Sequence, residues 1–166
     1  MISLDEFGRL DPFDYFDEKQ VKFDHKFRYW GRDWICEAHG CSWFLSTPEQ
    51  PRTTCLIYLE WLSIDGNTLM RLMRDLGLVR RFGVFRPREE VLAMGMSLKQ
   101  VRRILGRQTG TGMMPCPIPS EGEVKTRVFR RGDFTIQAVI DPAPNIYHPN
   151  PGLSCLVIYP TALNTG

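Results

Sequence analysis

The run Val124-Lys125-Thr126-Arg127-Val128-Phe129-Arg130-Arg131-Gly132-Asp133-Phe134-Thr135-Ile136-Gln137-Ala138-Val139-Ile140 decides the fold class. Two β-rich runs, 124–129 and 134–140, flank Arg131-Gly132-Asp133, and Gly with Asp supplies turn chemistry. The stretch reads as a β-hairpin, and its Arg-Gly-Asp tripeptide as the turn rather than as an adhesion signal. Beyond it lies a loop, 142–152, that holds four prolines. Residues 153–159 then make a last strand, ended by Pro160. Three strands in succession make one antiparallel meander.

A second β region opens the chain. In residues 21–29, Val21, Phe23, His25, Phe27 and Tyr29 alternate with Lys22, Asp24, Lys26 and Arg28. That period of two is the mark of a half-buried antiparallel strand. Gly31-Arg32-Asp33 reads as a turn, 34–38 as the return, Gly40 as a bulge or break, and 41–45 as its continuation. Residues 54–64 are long, apolar and β-rich, which predicts a central strand closed by Asp65-Gly66.

Helices are expected between the two β regions. Asn67 can cap a helix whose Leu69, Leu72, Met73 and Leu76 share a face, with Gly77 as its stop. Pro87 sits where a first helical residue would, with Glu89 and Glu90 in the first turn and Gly95 at the end. Ser97 with Gln100 forms a capping box for a third helix, whose apolar face is Leu98, Val101, Ile104 and Leu105 and whose stop is Gly106. Residues 110–122, rich in Gly and Pro, read as a long loop. The sequence thus predicts an α+β fold. Its antiparallel sheet has about six strands in two meanders, with about three short helices between them packed on one side.

At 166 residues, with 43% hydrophobic and 24% charged residues, the chain has the size and composition of one globular domain, 1–166. Sub-units 1–78 (β-β-β-α) and 79–166 (α-α-β-β-β) are its natural divisions. Residues 1–6 show neither the basic nor the apolar region of a leader, and no apolar run approaches the roughly 20 residues that a membrane span needs. A soluble, cytoplasmic protein with reduced cysteines is the expectation. Net charge is only +2, but residues 1–70 carry 7 basic against 12 acidic groups and residues 71–131 carry 14 against 5. Such asymmetry allows two faces of opposite sign that steer a charged partner.

Residues 94–106, Met-Gly-Met-Ser-Leu-Lys-Gln-Val-Arg-Arg-Ile-Leu-Gly, carry a family likeness. The stretch resembles the helix of the small SmpA/OmlA-type outer-membrane assembly lipoproteins. The same helix-helix-plus-meander unit occurs twice in the β-lactamase inhibitor protein. The likeness covers residues 87–159. It implies an α+β scaffold used for protein binding, with no catalytic residues to carry over. The chain departs from the family in having no lipoprotein signal or lipid-bearing Cys.

No catalytic constellation stands out. Cys36, His39 and Cys41 are spaced C-x-x-H-x-C, which matches no common zinc pattern, and no second pair follows, so no metal or cofactor is expected. A Cys41 nucleophile paired with His39 or His148 lacks a supporting motif, and His25 falls on an apolar face. Gly110-Thr111-Gly112 follows a helix and precedes no Lys-Ser/Thr, so it is not a phosphate loop. The leading reading is therefore a non-enzymatic protein-binding protein, in particular a bacterial immunity protein that neutralises a cognate toxin. The acidic and aromatic segment holding Asp11, Asp14, Tyr15, Asp17 and Glu18 is its candidate partner-binding site. The competing reading of that segment is an arm packing Phe13 and Phe16 on its own sheet. The alternative function is nucleic-acid binding by the Arg-rich segment 71–107, although stacking aromatics there are limited to Phe82 and Phe85.

Overall fold

The computed structural model describes residues 1–24, 34–38, 40–45, 53–60, 64–115, 123–142 and 151–162. Along the chain run α1 (Leu4–Gly8), β1 (Lys22–Asp24), β2 (Trp34–Ala38), β3 (Cys41–Leu45), β4 (Thr54–Glu60), α2 (Gly66–Leu76), β5 (Val79–Phe82), β6 (Arg88–Val91), α3 (Leu98–Leu105), β7 (Gln108–Pro115), β8 (Glu123–Arg131), β9 (Phe134–Asp141) and β10 (Gly152–Pro160). Eight strands form one antiparallel sheet in the order β1-β2-β3-β4-β10-β9-β8-β7, and β5 pairs with β6 alone. Two four-stranded meanders therefore meet at a seam, where Leu59 pairs with Leu156 and Ile57 with Ile158. The α+β class with two meanders is as the sequence predicts, with eight strands in the sheet where about six were expected.

Two local readings account for the extra strands. Of the two readings of Gly40, the structure takes the break: Gly40 makes a turn between two strands, not a bulge within one. At φ +77° it reverses the chain so that Ala38 pairs with Cys41. A Cβ there would lie 2.8 Å from the Glu60 carbonyl, so only glycine fits. The second is β7, which occupies part of the expected loop. Its ladder with β8 runs from Gln108↔Phe129 to Pro115↔Glu123. Glycine is a poor strand former, but at Gly112 a Cβ would crowd Thr126 and Gln137 at 3.1 and 3.2 Å, so the bare backbone suits the position. Of the expected strand 21–29, Lys22–Asp24 forms β1; residues 25–29, the turn at 31–33 and residues 61–63 of the 54–64 run lie outside the described residues.

The helices α2 and α3 form where expected, and their caps follow from side-chain chemistry. Asp65, rather than Asn67, caps α2, accepting from the Thr68 amide at 3.3 Å, and Gly77 closes it in the left-handed region. Ser97 and Gln100 exchange their bonds as a capping box (2.8 and 3.3 Å). The helix expected after Pro87 does not form. Those residues are β6, because Arg80 and Arg81 face Glu90 and Glu89 across a ladder that a helix would break. The third helix is instead α1, capped by Ser3 with Glu6.

All three helices cover one face of the sheet. Phe7 of α1, Leu72, Met73 and Leu76 of α2, and Val101, Ile104 and Leu105 of α3 pack with Trp43, Ile57, Leu59, Ile136, Leu156 and Ile158. Alternation sends Phe44, Leu56, Val139, Cys155, Val157 and Tyr159 to the other face, where they form a second, smaller cluster. Strand β10 is buried on both faces, which is why it reads as an apolar run interrupted only by Ser154. Arg131, which leads into the turn, is partly buried; its guanidinium donates to the Ile104 carbonyl at the end of α3, and burial lowers its pKa.

Candidate partner-binding surface

The N-terminal segment is an ordered arm. Phe7 is fully buried and meets Phe134 edge-on at 5.0 Å. Asp11 caps a 3-10 turn at Pro12–Asp14, accepting from the Phe13 amide at 3.0 Å. Asp17 caps a second at Glu18–Gln20, accepting from the Lys19 amide at 3.1 Å. Phe16 is buried, while Phe13 remains 37% exposed. A polar chain ties the arm to the sheet: the Trp43 indole donates to Thr54 Oγ1 (2.9 Å), which donates to the Leu10 carbonyl (2.6 Å).

Tyr15 joins the arm to α2. Its ring stacks on Trp43 at 5.8 Å, its hydroxyl donates to Asp75 at 2.7 Å, and the Arg71 guanidinium lies 5.0 Å from its centroid. Arg71 also donates to the Asp14 carbonyl at 2.7 Å. Burial, and then the hydrogen bond to the Asp75 carboxylate, push the Tyr15 phenol far above its ordinary range. Of the five residues proposed from sequence, Asp11 and Asp17 hold backbone amides and Tyr15 is enclosed. Asp14 and Glu18 are exposed, and among the described residues their carboxylates have no partner.

Among the described residues, the most exposed apolar group stands elsewhere. Strands β5 and β6 form a hairpin whose base is closed by Leu78 and Leu92, both buried, with the Leu92 amide donating to the Leu78 carbonyl at 3.0 Å. At its tip, Val84 is 90% and Phe85 97% exposed. Gly83 shapes the turn at φ +96°, where a Cβ would lie 2.4 Å from the Arg86 carbonyl. Along the hairpin, Glu89 meets Arg74 (2.7 Å) and Arg81 (3.7 Å), and Glu90 meets Arg80 (3.9 Å) and Arg103 (3.8 Å). The hydrogen bond from Arg74 holds the Glu89 carboxyl below its usual range. The Arg80 guanidinium also covers the Phe82 ring at 4.8 Å. Arg86 and Arg88 are exposed, with no acidic partner among the described residues.

The metal and nucleophile candidates fall largely outside what the structure describes. His25, His39 and His148 lie outside the described residues, and Cys41 is buried in the core. Among the described residues no group of three His, Cys, Asp or Glu is placed to hold a metal ion, and no helix is long and apolar enough to cross a membrane. No family model, curated protein or solved structure matches the chain.

The hairpin is what the sequence reading missed, although a signal was there. Leu78-Val79-Arg80-Arg81-Phe82 and Arg88-Glu89-Glu90-Val91-Leu92 mirror each other about Phe85, with charges that complement across the mirror.

Proposed function

We propose that the protein is a non-enzymatic protein-binding protein, and specifically a bacterial immunity protein that binds and neutralises a cognate toxin in the cytoplasm. The observation that carries this reading is the hairpin tip. Two large apolar side chains, Val84 and Phe85, are held out on a glycine-shaped turn at 90% and 97% exposure. A well-packed structure leaves such a group in water at a cost in apolar hydration that a protein partner would recover. Aromatic anchors beside arginines are the usual makings of an interface hot spot. The exposed carboxylates of Asp14 and Glu18 suit a partner with a basic face. The likeness of residues 94–106 to scaffolds used for protein binding supports the same reading.

The alternative, nucleic-acid binding by residues 71–107, is less well supported. Arg74, Arg80, Arg81 and Arg103 pair with the protein's own glutamates, and Arg71 holds the arm. Phosphate binding needs many free cations and weakens steeply with salt.

The test is co-expression with the product of the adjacent gene, followed by calorimetry of the purified pair. Growth rescue with a 1:1 complex supports the reading, and Asp14→Lys with Glu18→Lys should slow association at low salt. A neighbour that is not toxic, or that the protein neither binds nor neutralises, overturns it. Salt-sensitive binding to RNA that is lost on changing Arg86 and Arg88 would favour the alternative.

A further inference from the structure

The two ends of the eight-stranded sheet differ. Among the described residues, β1 closes one end with three residues, of which Lys22 and Asp24 are charged. β7 closes the other with eight, Gln108–Pro115, and carries no charge. Short, charged edges resist pairing with another chain, and long, neutral ones invite it. No described strand pairs with the outer side of β7, where Thr109, Gly110, Thr111 and Met113 are exposed. A Cβ at Gly110 would meet no atom within 4 Å, so another backbone has room to approach. The bulge at Thr109 and the proline at Pro115 stand at the two ends of β7. Between them the ladder is regular, from Gly110↔Val128 to Met114↔Val124, and alternate residues turn an N–H and a C=O outward.

Cations line this edge on the face that the helices cover. Arg127 pairs with Thr111 and Lys125 with Met113, and by alternation both stand on the face of the core residue Phe129. From α3, Arg102 donates to Gln108 Oε1 at 3.2 Å, and Arg127 donates to the same oxygen at 3.3 Å. Two guanidinium groups thus converge on one neutral oxygen, at distances longer than a charged acceptor gives. Among the described residues, Arg102, Lys125 and Arg127 have no acidic partner. We propose that the β7 edge binds an extended acidic peptide segment of a partner protein, which adds as one more strand and sets alternate carboxylates against Arg102, Arg127 and Lys125. The added strand lies two strand spacings, about 10 Å, from β8, a gap that arginine and glutamate side chains together span across Thr111. Its carboxylate offers the two guanidinium groups a charged acceptor in place of the neutral Gln108 oxygen. A second copy of β7 is the wrong occupant, because antiparallel pairing would set the cations of both copies on one face. So is a nucleic acid: phosphate oxygens give the outward carbonyls no donor, and β7 has no aromatic ring on which a base could stack. The inference goes beyond the toxin reading and stands without it, since it uses no side chain of the hairpin tip or the arm.

Calorimetry of the full chain with a peptide of alternating Thr and Glu, blocked at both ends and matched in length to β7, tests it. A micromolar dissociation constant is expected at about 50 mM salt, weakened severalfold as salt rises to about 500 mM, where charges are screened within about 4 Å. Amide hydrogen exchange at residues 110–114 should slow on binding. The variant R102E/R127E, with circular dichroism unchanged, should bind the peptide about tenfold or more weakly and should take up its Thr-Lys counterpart instead. The decisive arm uses the wild-type chain. The same peptide N-methylated at every amide keeps all its charges but has no N–H to give the ladder, and it should not bind. No binding of the unmodified peptide at about 100 μM overturns the proposal. So does equal binding of the N-methylated peptide, or binding that the R102E/R127E change leaves as it was. An oligothymidine that binds more tightly than the peptide would assign the edge to nucleic acid. A dimer in sedimentation velocity with exchange at 110–114 already slow would assign it to a second copy. Either result overturns the proposal as well.

Discussion

The N-terminal arm and the β5–β6 hairpin carry the same kinds of side chain, aromatic and charged, and use them in opposite directions. In the arm, Phe7 and Phe16 are buried, Tyr15 is enclosed by Trp43, Asp75 and Arg71, and Asp11 and Asp17 cap turns. In the hairpin, the carboxylates of Glu89 and Glu90 hold the ribbon together through arginines, while Phe85 and Val84 are left in water. Composition alone does not distinguish the two. What does is whether the local backbone points a side chain at the sheet or away from it. An arm lying on a sheet gives its aromatics an apolar surface. A two-stranded ribbon that projects beyond its buried base has none to offer.

That contrast can be broken from either side, and the largest effect belongs to the arm. Phe7→Ala removes a fully buried ring and its edge contact with Phe134. It should cost about 3–5 kcal/mol in urea denaturation, enough to unfold a marginal domain. Little change would mean that the arm is only loosely attached. Gly83→Ala forces a side chain into a left-handed turn against the Arg86 carbonyl. It should cost about 1–3 kcal/mol or open the tip, which amide hydrogen exchange at residues 79–91 would report.

Tyr15→Phe removes the hydrogen bond to Asp75 and keeps the stack on Trp43. A loss of about 1 kcal/mol at neutral pH is expected. The same variant carries a pH signature. The folded-state pKa of Tyr15 is raised, so its contribution is fully present below the unfolded value of about 10 and is lost as pH climbs above it. The wild type should therefore lose stability more steeply than the Phe variant from about pH 10 upward. Parallel curves would show that Tyr15 titrates freely. The smallest effect is at the tip: Phe85→Ser should change stability by no more than about 0.5 kcal/mol, since the ring has little to lose. If it destabilised the fold as much as Phe7→Ala, the hairpin tip would be a packing element and not a recognition element.

The elements legible in the sequence were those whose stabilising contacts are local. The capping box of Ser97 with Gln100 and the stop at Gly77 need only neighbours within one turn. The turn at Arg131-Gly132-Asp133, with Gly132 at φ +56°, needs only its own backbone. The same holds for the apolar faces of α2 and α3, whose spacing shows where a core must be. Pro87 misled for the same reason. Followed by two glutamates it satisfies every local rule of a helix start, yet the partners of those glutamates are Arg80 and Arg81 on the opposing strand, with Arg74 and Arg103 from the helices. For the partner-binding residues, Asp14 and Glu18 remained available, whereas Asp11, Tyr15 and Asp17 were claimed by the fold itself.

By itself, then, the sequence determined the α+β class, the two meanders and the two amphipathic helices, because periodicity and capping act over a few residues. Tertiary structure alone decided three things. It decided that the meanders join at β4 and β10, since pairing between segments about a hundred residues apart depends on which apolar strands can share one core. It decided that Gln108–Pro115 is a strand, since glycines become a strand only when a neighbour supplies the ladder. And it decided which charges remain free to meet a partner, since a carboxylate or guanidinium is available only if nothing in the fold has already claimed it.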